Sequence, residues 1–194
     1  MISKELWQDA VMLGPTLQSS IASAAALAID HACLMGSGNG EEPRGLYYNS
    51  GVTQTAATAD PWGNISDSMY RVEDENYTPD GVLLSPRSAN CLRKMEDANY
   101  LPYPRPYWCP PMYSTKQIPD DLSTDKSAVF VGQWDRLWIG IRDTFRLEIL
   151  REIKSQSGQL VLAGAMRADV GAVRTGAFDI IKDVPSTWAR SGAE

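Results

Sequence analysis

Gly36-Ser-Gly-Asn-Gly40 is the densest glycine run in the chain, and a glycine-rich turn can cradle phosphate when it opens a helix and carries a following Gly-Lys-Ser/Thr. Here no such tripeptide follows, and the run closes a helical pattern instead of opening one. It reads as a helix C-cap followed by a turn. His31 and Cys33 are metal-ligand types, but they are two residues apart, on opposite sides of a helix, and no second Cys/His pair has ligand spacing. The single histidine leaves one possible pairing for nucleophilic catalysis, and nothing around Cys91 or Cys109 marks an activated thiol. The residues therefore predict no catalytic site, no cofactor and no metal. The remaining candidate is Leu101-Pro-Tyr-Pro-Arg-Pro-Tyr-Trp-Cys-Pro-Pro111, because proline-rich segments can dock in aromatic grooves of adaptor domains. The competing reading is that its aromatic residues pack on their own domain or on a neighbouring subunit.

The elements around these residues can be placed from periodicity and punctuation. Ser3 is a plausible cap for a short helix to about Met12. Pro15 then suits the first turn of a longer one. Leu17, Ile21, Ala24 or Ala25, Ala28 and Ala32 recur at helical steps, giving a rod of roughly 30 Å that Gly36 stops. Its small residues, Ala25 and Ala28 in particular, are expected where the helix meets a sheet. Residues 47 to 65 read as loop, with Ser66 or Asp67 capping a short helix to about Glu75. Val82-Leu-Leu84 reads as a buried strand. Ser85-Pro86 is a cap and first-position proline for a helix to about Ala98, with Leu92 and Met95 on its core face.

From Ala128 the pattern turns to strand. Leu137, Ile139 and Ile141 alternate with Trp138 and Gly140, and Phe145, Leu147 and Ile149 alternate with Arg146 and Glu148. Arg142-Asp143-Thr144 sits where a hairpin turn would go, and Ser155 to Gly158 where a second would. Three long antiparallel strands and a return segment, Val170 to Ile181, are expected. Helices first and strands late indicate an α+β fold.

Composition limits the classes. The chain has 194 residues, formal net charge −6 and pI near 4.8, the wrong sign for a protein that grips nucleic acid non-specifically. Three cysteines, with no secretory leader ahead of them, read as reduced thiols. The apolar stretch Ile21 to Leu34 is too short and too interrupted, by Asp30 and His31, to span a membrane.

The ordered set of landmarks resembles the C-terminal part of tailed-phage major capsid proteins with the Hong Kong 97-type fold. Those landmarks are the small-residue helix, then Gly36, Gly38 and Gly40, then Pro43, Gly45 and Leu46. Further on come Ile118-Pro119, Val131-Gly132, Arg142 among paired strands, Arg167 before Gly171, and Ala177-Phe178. The resemblance implies a long spine helix against an antiparallel sheet plus a smaller axial α/β subdomain. It implies a peripheral domain over residues 1–58 and 131–175, and an axial domain over 59–130 and 176–194. It implies a head protein of a tailed phage or prophage that self-assembles into an icosahedral shell around DNA without reading its sequence. Such a subunit has scaffolding, portal or decoration proteins as further partners, and belongs to a virion assembled in the bacterial cytoplasm. An encapsulin-type compartment shell shares the fold and is the alternative, with an adaptor-binding module using the 102–111 loop as another. The N-terminal arm and extended loop that family members carry ahead of the spine helix find no match in these residues. Monomers or small rings are accordingly expected, not closed shells.

Overall fold

A computed structural model describes residues 2–3, 13–95, 104–150 and 159–185. In chain order the elements are strand β1 (Ile2–Ser3), helix α1 (Leu13–Met35), β2 (Thr53–Ala56), α2 (Pro61–Asp74), β3 (Gly81–Leu84) and α3 (Pro86–Arg93). They continue with β4 (Met112–Ser114), β5 (Lys126–Gly132), β6 (Leu137–Leu150), β7 (Gln159–Ala172) and β8 (Phe178–Pro185). The chain divides into two compact units, one of residues 1–30 and 139–169, the other of residues 31–138 and 170–194.

The second unit is built on a five-stranded sheet ordered β2-β8-β5-β3-β4. Parallel edge pairs (β2 with β8, β4 with β3) flank an antiparallel centre of β8, β5 and β3. β5 is central and buried on both faces, which is why Ala128-Val-Phe-Val131 is continuously apolar instead of alternating. Val129 and Val131 face one core with Trp62, Ile65, Leu84, Leu92 and Ile181. Ala128 and Phe130 face a second with Leu34, Met35, Leu46, Ile118 and Phe178. Two helices open with the same local grammar. Asp60 Oδ1 accepts from the Trp62 N–H at 3.1 Å, and Ser85 Oγ accepts from the Ser88 N–H at 3.2 Å, each with proline in the first turn.

The first unit carries the three-stranded sheet, ordered β1-β7-β6. Ile2 and Ser3 pair antiparallel with Leu160 and Gln159. Arg136 pairs with Val173, whose N–H reaches the Arg136 carbonyl at 3.1 Å, and Asp143 lies beside Arg167. β6 and β7 therefore run in opposite directions.

Several expectations need correction. Arg142-Asp143-Thr144 is not a turn: β6 passes straight through it. The apolar positions 137, 139, 141, 145, 147 and 149 are all odd, so the two-residue phase is kept across Asp143, and no proline interrupts the strand. The expected three long strands are two, plus the two-residue β1. Ser3 is in that strand, not at a helix N-cap. The residues of the short helix expected before α1, and the turn at 155–158, lie outside the described residues. α2 is capped by Asp60, not by Ser66 or Asp67, and so begins inside the stretch read as loop, which also holds β2. α3 ends at Arg93, with Lys94 as C-cap; residues 96–98 of the expected helix lie outside the described residues. The return segment is not one piece: β7 continues to Ala172, and a short 3-10 turn at Thr175–Ala177 precedes β8. Finally, Ala28 is exposed and Ala25 only half-buried. From Leu17 on, the partly covered positions of α1 ahead of its buried end are Leu17, Ile21, Ala25 and Ile29, four residues apart.

Candidate functional site: a glycine knot, an aromatic-over-glycine row and exposed strand arginines

The glycines that resembled a phosphate cradle fold back on the helix they end. The Gly36 N–H donates to Ala32 O at 3.0 Å, completing the last turn of α1. The returning chain then donates from Gly45, Leu46 and Tyr47 N–H to Gly36, Cys33 and Leu34 carbonyls at 2.9–3.0 Å. This contact leaves no room for side chains. A Cβ on Gly36 would strike the Pro43 and Ala32 carbonyls, and one on Gly45 would lie 2.6 Å from Gly36 N. Gly38 and Gly40 have φ of +71° and +65°, the left-handed region that favours glycine. Ser37 Oγ donates to Glu42 Oε2 at 2.6 Å, and its backbone N–H to the same oxygen at 3.1 Å. The hydroxyl first, and the N–H second, hold the Glu42 carboxyl below its usual range. The N–H groups of Gly36, Ser37, Gly45, Leu46 and Tyr47 and the Ser37 hydroxyl all bond within the knot, so it serves as a latch between helix and loop.

Gly132 and Phe178, far apart in sequence, are brought together. Gly81, Gly132 and Phe178 form a row across β3, β5 and β8. The Phe178 ring lies where a Gly132 side chain would be, and the Trp134 ring lies over Gly81. The two rings meet edge-on at 5.6 Å, and Trp134 Nε1 donates to Gly81 O at 3.0 Å. Here glycine makes room for close packing. Pro119 contributes its carbonyl, which accepts from Ser127 Oγ at 2.9 Å. Arg142, Arg167 and Gly171 stay apart from these clusters and exposed along β6 and β7. The Arg167 pair with Asp143 is long, 3.9 Å, and open to solvent.

His31 Nδ1 lies 3.1 Å from Gln117 O, so this nitrogen carries the proton and donates; it is a structural contact. Burial pushes the Cys109 thiol up, with nearby Arg105 only partly opposing it, the reverse of an activated nucleophile. Among the described residues, no three His, Cys, Asp or Glu side chains gather around a point that could hold a metal. No helix among the described residues is long and apolar enough to cross a membrane.

Sequence reasoning missed two charged contacts. Asp179 is 1% exposed in β8 and receives a two-pronged contact from Arg71 of α2, Nε to Oδ1 at 3.2 Å and Nη2 to Oδ2 at 2.8 Å. The signal was present: an acid inside the apolar run Ala177-Phe-Asp-Ile-Ile181 has to be paired. Arg87 of α3 clamps the 120–125 loop, bonding the Asp125 carboxylate, Asp120 O at 2.5 Å and Asp125 O at 3.1 Å. No sequence pattern pointed to that clamp.

A long helix, a sheet of long strands and a separate mixed α/β sheet, with motifs that lock backbone instead of holding ligand, define a shell-forming fold of the Hong Kong 97 type. Among solved structures, the capsid of an empty GTA particle superposes with TM-score 0.72 at 18% identity, over 94% of this chain and 70% of that one. Mycobacterium phage Ogopogo gives 0.70 at 15%, over 94% and 72%. The holo-SrpI encapsulin complex of Synechococcus elongatus gives 0.65 at 13%, over 100% and 74%. No curated protein sequence matches. The model of the phage capsid family matches residues 1–183, and the chain belongs to that family. It is a major capsid protein, structural and not enzymatic.

Proposed function

We propose that copies of this chain assemble into capsomers and then into the icosahedral shell of a tailed phage or prophage, enclosing DNA by containment and not by base recognition. The match of the phage capsid family over residues 1–183 carries this reading, and the net charge of −6 suits a wall that need not grip its contents. Scaffolding, portal or decoration proteins are its further partners, and the bacterial cytoplasm is its place of assembly. In this reading residues 1–58 and 131–175 form the peripheral domain and 59–130 and 176–194 the axial domain. The compact unit of residues 1–30 and 139–169 lies wholly inside the first. Gly36, Gly38, Gly40, Pro43 and Gly45 set the direction of chain leaving the spine helix. Gly132, Phe178 and Pro119 fix the sheet beneath the axial surface, while Arg142, Arg167 and Gly171 face neighbouring subunits.

The encapsulin reading keeps one supporting observation, the SrpI superposition over 100% of this chain. Native mass measurement with negative-stain microscopy tests self-association. The contents of particles isolated from the producing cell separate the two shells: nucleic acid supports the capsid, whereas a packaged enzyme without nucleic acid would replace it with the compartment.

A further inference from the structure

Two features of the unit comprising residues 31–138 and 170–194 are left without partners and complement each other. The first is a knob. In the 104–111 loop the Cys109 N–H donates to Pro106 O at 3.1 Å, and Arg105 Nη2 donates to Cys109 O at 2.9 Å. Cys109 is buried at 2% exposure, yet Tyr107 at the apex is 100% exposed. A large aromatic side chain therefore stands in solvent on a turn that is already ordered, so little entropy remains to be lost when it docks. The second feature is a socket of about 280 Å³ lined by Asp80, Leu83, Tyr113 and Trp134. The Trp134 ring is pinned by its bond to Gly81 O, and Asp80 Oδ1 accepts from the Trp134 N–H at 3.0 Å. The bare Gly81 lies between the two aromatic walls: a Cβ there would sit 2.9 Å from Trp134 Nε1 and 3.7 Å from Tyr113.

We infer that Tyr107 of one copy inserts into the Asp80–Leu83–Tyr113–Trp134 socket of the next copy. Its ring stacks between the aromatic walls, its phenol donates to the Asp80 carboxylate, and Arg105 meets the same acid. This rests on the self-association proposed above and names a contact for it. The occupant is a second copy because the chain itself carries the matching shape and charge, a tyrosine with an arginine against an aromatic slot with a carboxylate. Among the described residues Tyr107 has no neighbour to cover it, being 100% exposed. Knob and socket are different surfaces, so the contact is head-to-tail, the kind that closes into rings.

The test measures association of the full chain by sedimentation and native mass. Tyr107→Ala, a change at a fully exposed site, should leave the melting temperature unchanged and weaken association by ~10-fold or more, as for other central interface tyrosines. Tyr107→Phe should fall between. Tyr113→Ala should weaken association similarly. A mixture of the two variants should recover heterodimers, because the first keeps an intact socket and the second an intact knob. Parent-like association of Tyr107→Ala, or a mixture no better than its components, would overturn the contact while leaving the shell reading intact; the loop would then serve another protein. A parent chain that stays monomeric at every concentration would overturn the contact, whereas particles from the producing cell that hold a packaged enzyme and no nucleic acid would overturn the capsid reading. If Tyr113→Ala fails to fold, the Tyr107→Ala and Tyr107→Phe pair decides alone.

Discussion

At the scale of single residues, the glycines of the knot are not interchangeable, and the reason differs from one to the next. Gly36 and Gly45 are held by closeness to backbone atoms that cannot step aside. Gly40 has open space around it and is held only by φ of +65°. Gly36→Ala and Gly45→Ala should therefore cost roughly 1–3 kcal/mol through overpacking, and Gly40→Ala about 1 kcal/mol through the left-handed backbone alone. Gly40→Asn should be nearly neutral. Urea midpoints of the variants check the ranking, and a Gly40→Ala loss as large as that of Gly36→Ala would refute it. The Arg71–Asp179 pair is a second case. Replacing Arg71 by Met strands a carboxylate that is 1% exposed, at a cost of roughly 3 kcal/mol. That is the low end for buried pairs, because the Arg71 side chain keeps 30% exposure. Equilibrium unfolding measures it, and a loss below about 1 kcal/mol would mean that water reaches Asp179 once the arginine is gone.

Helices and strands respond to different kinds of change. α2 and α3 each begin with an acceptor side chain on an otherwise unpaired N–H, so Asp60→Ala and Ser85→Ala should each lower stability by about 1 kcal/mol. The Ser85 loss should be the larger, since Ser85 is fully buried and its removal leaves Ser88 N–H dry. On α1 the outcome reverses. Ala28 is exposed, so Ala28→Leu should change the melting midpoint by no more than a ~0.5 kcal/mol equivalent; Ala25→Leu, at a half-buried position, should cost more. Thermal melts of the two side by side decide whether the covered stripe runs through residue 25.

For the whole molecule, the long strands present charge that the folded chain scarcely uses. Arg142 is exposed, and the Arg167–Asp143 pair is 3.9 Å long with 71% and 42% side-chain exposure. A pair of that kind contributes about 0–1 kcal/mol. In the shell proposed above the same charges would face neighbouring subunits, where complementarity sets register and rejects wrong contacts. Arg142→Glu and Arg167→Glu should therefore reduce particle yield more than they reduce thermal stability. Measuring both quantities on each variant separates the roles: parallel losses would assign the arginines to the fold, and unchanged yield would make them ordinary solvated residues.

Much of this was legible in the chain because it is decided within a few residues. The stop at Gly36 follows from local backbone freedom, the Ser85-Pro86 start from capping, and the strand character of residues 137–149 from a two-residue period. The order of landmarks along the chain was enough to suggest the family. What local signals could not supply were pairings across distance. Arg71 and Asp179 are 108 positions apart, and β2 lies beside β8, a neighbour no local pattern names. The supposed hairpin at Arg142–Thr144 failed for the same reason. Three polar residues suit a turn or an exposed strand equally well, and only the partner strand β7, running past without a break, decides between them. The knob and socket belong to that second class too. Tyr107 is conspicuous in the sequence, but whether it is buried or bare, and whether Gly81 opens a slot between Tyr113 and Trp134, depends on how the sheet folds those segments together.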